Sequence, residues 1–208
     1  MARQTRQRIL DASLAMFNAQ GEPNVTTNHI ANELEISPGN LYYHFRNKND
    51  IIEQLFGRYE VRIDAALAAP SGRLPGLEDV WLQLHLVFEC IWDYRFLYRD
   101  LVDILSRNRR LRLRFARILK RADEQAHAVM RGLSRAGVMR ASAAELDAAA
   151  TNVLVVSTFW MNYAAARGDK DEQASIRDGI VQVMMLLAPF LRDAERLHLN
   201  TLTRAYLD

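Results

Sequence analysis

Cysteine is almost missing from this sequence. Cys90 stands alone among 208 residues, so neither an intramolecular disulfide nor a cysteine-based zinc site can form. Glycine and proline are scarce too, nine and five. With half the residues hydrophobic, that composition excludes collagen-like order and a disordered, low-complexity chain. No stretch of alternating β-branched residues sits between turn signals, which argues against a sheet. P-loop, G-x-G-x-x-G and H-E-x-x-H patterns are all missing. No cofactor, metal or enzymatic activity is therefore called for.

The N-terminal MARQTRQRIL has no apolar stretch resembling a secretion signal, and the expected compartment is the cytosol. Ala148 to Ala166 is free of charge and nearly long enough to span a bilayer. It contains Thr151, Asn152, Ser157, Thr158 and Asn162, lacks a basic cluster on one flank and has no second span to pair with, so it reads as a buried helix.

Charge is distributed unevenly along the chain. Residues 1–50 are neutral, residues 95–140 carry +9, and the rest carry −7, for a net charge of +2. Eight of the central cations lie between Arg107 and Arg121. Such a run makes a solvated helix face, an anion site or a second contact to nucleic acid.

Apolar residues recur at helical spacing nearly throughout, so the fold class is all-α. Leu10, Leu14 and Phe17 lie on one face of a first helix that stops at Gly21. Thr26 or Thr27 caps a short second helix bearing Ile30, Ala31 and Leu34, which breaks around Glu35 and Ile36. Ser37 followed by Pro38 starts a third, running to about Phe45 with Leu41 and Phe45 on one face and Asn40, Tyr43 and His44 on others. Asn47 caps a fourth, with Asp50 in capping-box position, running from Ile51 to Leu67. Ala69 to Gly76 reads as a linker, followed by helices near 77–94, 95–106, 108–136, 143–167 and 172–197. Ser142 and Glu145 form a capping box, Gly137 and Gly168 close two helices, and Pro189 kinks the last.

Two short helices joined by a tight turn, the second polar at its exposed start, have helix-turn-helix geometry. The run ILDASLAMF, Gly21, Thr26, Ile30-Ala31, the segment SPGNLYYHF from Ser37 to Phe45, and Lys48 resemble the DNA-binding domain of the tetracycline-repressor (TetR) family over about forty consecutive residues. The resemblance implies a DNA-binding domain over residues 1–48 and a larger helical effector-binding and dimerisation domain over 49–208. It places Ser37 to His44, Tyr43 included, on a recognition helix in the major groove, with Thr27 and Asn28 against phosphates and a groove edge. Physical chemistry supports those roles: Gly39 permits close backbone approach, Asn40 can pair bidentately with adenine, and Pro38 can touch a thymine methyl. Tyr42, His44 and Lys48 suit phosphates. Glu22 departs from the family, which has an aromatic residue there, and is expected to loosen the packing beneath the motif. The neutral charge of residues 1–50 predicts weak non-specific binding.

RFLYRDL at Arg95 to Leu101, with the NRRLRLRF that follows, is similar to the sensor half of one branch of that family. The resemblance implies dimerisation through the last two long helices and an enclosed ligand pocket. Trp81, His85, Phe88 and Trp92 share one stripe of a helix, and Trp160 and Tyr163 offer an opposite wall. Phe96, Phe115 and Phe159 add to the aromatic supply, and all of these rings equally suit an ordinary core. An apolar or amphipathic effector is expected, with His85 as polar contact and Arg95 or Arg99 pairing with an anionic group. The function expected is a homodimeric repressor released from a palindromic double-stranded operator by that effector. A helical ligand- or metal-binding bundle without DNA function, using His85, Glu124 and His127, is the alternative.

Overall fold

The computed structural model describes residues 2–68, 73–169 and 171–204. Among these residues the chain forms helices and no strand, apart from one isolated bridge between Met139 and Leu191. Helix α1 spans Ala2–Gln20 and buries Ile9, Leu10 and Phe17 on one side. Gly21 ends it with φ +82°, a conformation open to glycine but strained for side-chain-bearing residues, and a 3-10 turn at Glu22–Asn24 follows.

Helices α2 (Thr27–Glu33) and α3 (Pro38–His44) are one and a half to two turns each and are held by their caps. The Thr26 hydroxyl accepts the His29 N–H at 3.2 Å, and His29 Nδ1 accepts the Thr26 N–H at 3.4 Å. This closes a capping box with histidine in the place usually held by Glu or Gln. Ser37 Oγ accepts the Asn40 N–H at 3.2 Å, with Pro38 in the first helical position. Asn47 Oδ1 accepts the Asp50 N–H at 3.0 Å at the start of α4 (Lys48–Ala66). Asp50 reaches the N–H of Arg46 rather than that of Asn47, so the expected reciprocal box is offset by one residue.

Of the expected linker, residues 69–72 lie outside the described residues. Helix α5 covers Leu77–Asp93. The single helix expected over 95–106 is instead two, α6 (Arg95–Arg99) and α7 (Leu101–Arg107), parted at Asp100 with φ −105° and ψ 19°. There the Asp100 carboxylate accepts the Glu22 N–H at 3.1 Å, a partner 78 residues away. Helix α8 spans Arg109–Arg135, and Asn108 Oδ1 caps its Arg110 and Leu111 N–H groups. Helix α9 (Ala143–Arg167) begins with the Ser142–Glu145 capping box and ends at Gly168 with φ +85°.

The chain end differs from expectation. Helix α10 stops at Met185, a 3-10 turn spans Ala188–Phe190, and α11 runs over Asp193–Arg204. Pro189 has no N–H to continue α10 and its ring would crowd the preceding turn. The Phe190 carbonyl, at the end of the 3-10 turn, accepts the Arg140 N–H at 2.7 Å. Among the described residues, no helix is long and apolar enough to cross a membrane.

Two compact units form: Met1–Arg62 with Asp93–Leu113, and Ile63–Trp92 with Arg114–Asp208. In the first, Phe17 packs on Phe96 at 5.3 Å between ring centres, and buried Asn18 bonds both the Asp93 carbonyl at 2.8 Å and the Phe96 N–H at 3.1 Å. Tyr59 is fully buried among Phe56, Tyr94 and Tyr98, its hydroxyl 2.7 Å from that of Tyr98. In the second, α9 packs on α10, and a β-carbon at Gly179 would fall within 2.5 Å of Phe88 and 2.7 Å of Trp160. Glycine is required there for the rings to approach.

Candidate nucleic-acid interface

Helices α2 and α3 are anchored by few apolar side chains: Ile30 and Ala31 on α2, and Leu41 on α3 with Phe45 at its end. Because Leu41 and Phe45 point inward four residues apart, the rest of α3 points outward. Ser37, Pro38, Gly39, Asn40, Tyr42 and Tyr43 are all exposed, Tyr43 at 80%. A β-carbon at Gly39 would meet nothing closer than Ser37 Oγ at 3.9 Å, so the space in front of it is open to a partner. The Tyr42 hydroxyl lies 2.9 Å from Thr27 Oγ1 and ties the two helices across the turn. Asn28 is exposed, Thr27 half-buried, and the half-buried His44 ring meets that of Tyr43 edge-on at 5.1 Å.

Lys48 is placed differently from the other expected contacts. Its Nζ lies 2.9 Å from the Glu22 carbonyl, 3.0 Å from the Val25 carbonyl and 2.8 Å from Glu22 Oε1, so three protein oxygens surround the ammonium. Glu22 itself has no exposed surface, and its Oε2 accepts from Arg107 Nη2 at 2.7 Å. Packing at this position is therefore not loose: a paired carboxylate fills it. Burial by itself would raise the Glu22 pKa, but the Lys48 ammonium paired with Oε1 and the hydrogen bond from Arg107 outweigh it and hold the carboxyl below its ordinary value. Asp100 moves the other way, raised chiefly by burial.

The expected effector residues divide into several environments. Trp81 and His85 are half-buried on α5 and stacked 5.8 Å apart, with His85 Nε2 3.3 Å from Glu89. Phe88 is completely buried, and Trp92 half-buried. Trp160 is buried and donates from Nε1 to the Ser175 carbonyl at 2.6 Å. Tyr163 is 54% exposed, with Arg167 5.5 Å over its ring. Arg99 belongs to the first unit, where its guanidinium bonds the Asn18 carbonyl at the end of α1. Glu124 lies 3.8 Å from Lys120, and His127 sits between Asp123 at 3.5 Å and Asp147 at 3.0 Å. Among the described residues, no group of three or more His, Cys, Asp or Glu side chains is placed to hold a metal ion.

Sequence reasoning missed His29 as a cap and the Glu22–Arg107 pair. The histidine lies three residues after Thr26 and was legible by spacing; the arginine, 85 residues from its partner, gave no local signal.

A short, capped α3 anchored by two apolar side chains and presenting an open polar face, preceded by α2, defines a helix-turn-helix protein. Residues 9–55 match the model of the bacterial regulatory proteins of the tetR family, and residues 58–199 match that of a bacterial transcriptional repressor domain, TetR. The chain belongs to the TetR family. A TetR-family transcriptional regulator from Marinobacter aquaeolei VT8 is 39% identical, with TM-score 0.87 over 97% of this chain and 98% of that one. SmeT of Stenotrophomonas maltophilia, in its triclosan complex, shares the fold at 21% identity, with TM-score 0.60 over 92% of this chain and 94% of that one. The uncharacterized HTH-type regulator TtgW of Pseudomonas putida is 42% identical over 52 residues, 25% of this chain and 39% of its own length. The chain spans about two fifths or less of the curated relatives it matches.

Proposed function

We propose that this chain is a homodimeric transcriptional repressor, working in the cytosol, that reads a palindromic operator through α3 and is released by a small molecule. The observation that carries the reading is the outward polar face of α3, with Asn40 exposed beside the open backbone at Gly39. Asn40 and Pro38 read bases; Thr27, Asn28, Ser37, Tyr42, Tyr43 and His44 position the helix on the duplex. Lys48, its ammonium already surrounded by protein oxygens, supports the interface by holding the turn before α2. Contact with DNA falls to residues 1–48, and effector binding and dimerisation to 49–208.

Dimerisation is supported by α9, where Val155, Phe159 and Tyr163 recur every four residues and are each about half exposed. An apolar stripe of that kind favours a partner helix over water. The effector is apolar or amphipathic and meets the Trp81–His85 stack and Trp92, while Phe88 and Trp160 serve as packing. SmeT, which shares this fold, is found in complex with triclosan.

Selection of duplexes from a randomised pool, followed by salt titration, tests the reading. A preferred palindrome should emerge, and Asn40→Ala should relax preference at one base pair by about 1–3 kcal/mol without altering stability. A wild-type protein that enriches no sequence, and binds every duplex alike with a steep salt dependence, would leave only a non-specific binder. Phe159→Asp should shift sedimentation from dimer to monomer.

A further inference from the structure

We propose that Glu22 is a positioning residue for operator binding: its buried carboxylate, clasped by Lys48 and Arg107, ties the turn before the helix-turn-helix to both α4 and α7 and so sets the attitude of the reading helices. All three residues lie in the first unit. Lys48 comes 26 residues after Glu22 and Arg107 85 residues after it, so one side chain joins three stretches of chain. The backbone of the same residue is engaged as well, its N–H donating to Asp100 and its carbonyl accepting from Lys48. Asp103, on α7, holds the Arg107 guanidinium at 2.7 Å from the solvent side.

Energetics make the clasp consequential. A carboxylate withdrawn from water is tolerated only while both its oxygens are paired, and removing one partner leaves an uncompensated buried charge. The turn then relaxes toward solvent, and with it Thr26 and the capping box of α2. A rearrangement that pulled Arg107 away with α7 would release the turn in the same way, which gives α7 a direct mechanical route to the reading helices. Arg107 thereby leaves the solvated basic run and acquires a specific task. The two cations of the clasp hold Glu22 ionised at neutral pH, while Asp100 beside it is pushed toward its neutral form by burial.

This inference rests on the operator-binding reading and is tested on a duplex selected from a randomised pool by the wild-type chain. Failure to select any duplex overturns that reading and this one together. With such a duplex in hand, Glu22→Gln and Arg107→Gln should each bind it about tenfold more weakly, as expected if the competent arrangement falls to about a tenth of the population. Arg107→Lys, which keeps a cation, should recover most of the affinity. Amide hydrogen exchange in the free protein should quicken over residues 22–44 in Arg107→Gln and stay unchanged over α9 and α10. Arg107 is partly exposed, so its substitution keeps the test open if Glu22→Gln does not fold. A lower melting temperature with wild-type affinity and wild-type exchange over residues 22–44 would make the clasp a stability feature only and overturn the proposal.

Discussion

Around the helix-turn-helix, the first compact unit is tied by polar bonds between distant stretches of chain; where α5, α9 and α10 meet in the second, two rings close on a glycine. Asn18 joins α1 to the backbone around α6, Tyr59 joins α4 to α6, and Glu22 joins its turn to α4 and α7. In the second unit, Phe88 and Trp160 close on Gly179, where no β-carbon fits. Polar bonds are directional, so they specify one arrangement and fail when a partner moves away. Ring packing is non-directional and fails when volume changes. The turn before α2 and α3 is held by directional bonds, whereas the meeting of α5, α9 and α10 rests on shape, with Trp160 also bonded to the Ser175 carbonyl.

Substitutions can break this contrast, and the largest effect should fall in the second unit. Phe88→Ala removes a fully buried ring and should cost about 3–5 kcal/mol in denaturant unfolding. Overfilling the same place by Gly179→Ala should cost about 1–3 kcal/mol, because the added carbon would lie 2.5 Å from Phe88 and 2.7 Å from Trp160 and force a shift in the packing. In the first unit, Tyr59→Phe keeps the ring and deletes one buried hydrogen bond, with an expected loss of about 0.5–1.5 kcal/mol. A Tyr59→Phe loss larger than that of Gly179→Ala would reverse the assignment of directional bonding and volume to the two units.

The smallest expected effect is a change of pH slope. Glu22 has a folded pKa below its ordinary 4.5, so unfolding takes up protons near that value. The stability it contributes is fully present above pH 4.5 and is lost as pH falls through the lowered folded value. Asp100, raised from 3.8, has the opposite sign: its penalty grows as pH rises through its folded value and is relieved in acid. Comparing unfolding of wild type with Glu22→Gln across this range should give curves that stay a constant distance apart above pH 4.5 and converge as pH falls below it. Curves that remain parallel below pH 4.5 would remove Glu22 as an acid-sensitive tie.

What was legible in the chain was local. Ser37 before Pro38, Ser142 three residues before Glu145, and the glycines at 21 and 168 announce helix ends because the hydrogen bonds and backbone angles involved close within one turn. The SPGNLYYHF segment carried the helix-turn-helix for the same reason, since Leu41 and Phe45 fix which face of α3 is left outside. Helical spacing grouped Trp160 with Tyr163 but could not tell that one would be buried on Gly179 and the other half exposed, because three residues fall about 60° short of a full turn, enough to straddle the edge of a buried face. Nothing near Asp100 marked the break between α6 and α7, and nothing near Lys48 showed that its charge would be spent inward. Both places meet Glu22, whose partners lie 26, 78 and 85 residues away and come together only after the helices have packed. Local chemistry sets where helices begin and end; which charges face a partner and which are consumed inside is settled by what the folded chain brings within about 3 Å, where a buried ion must find its counterpart.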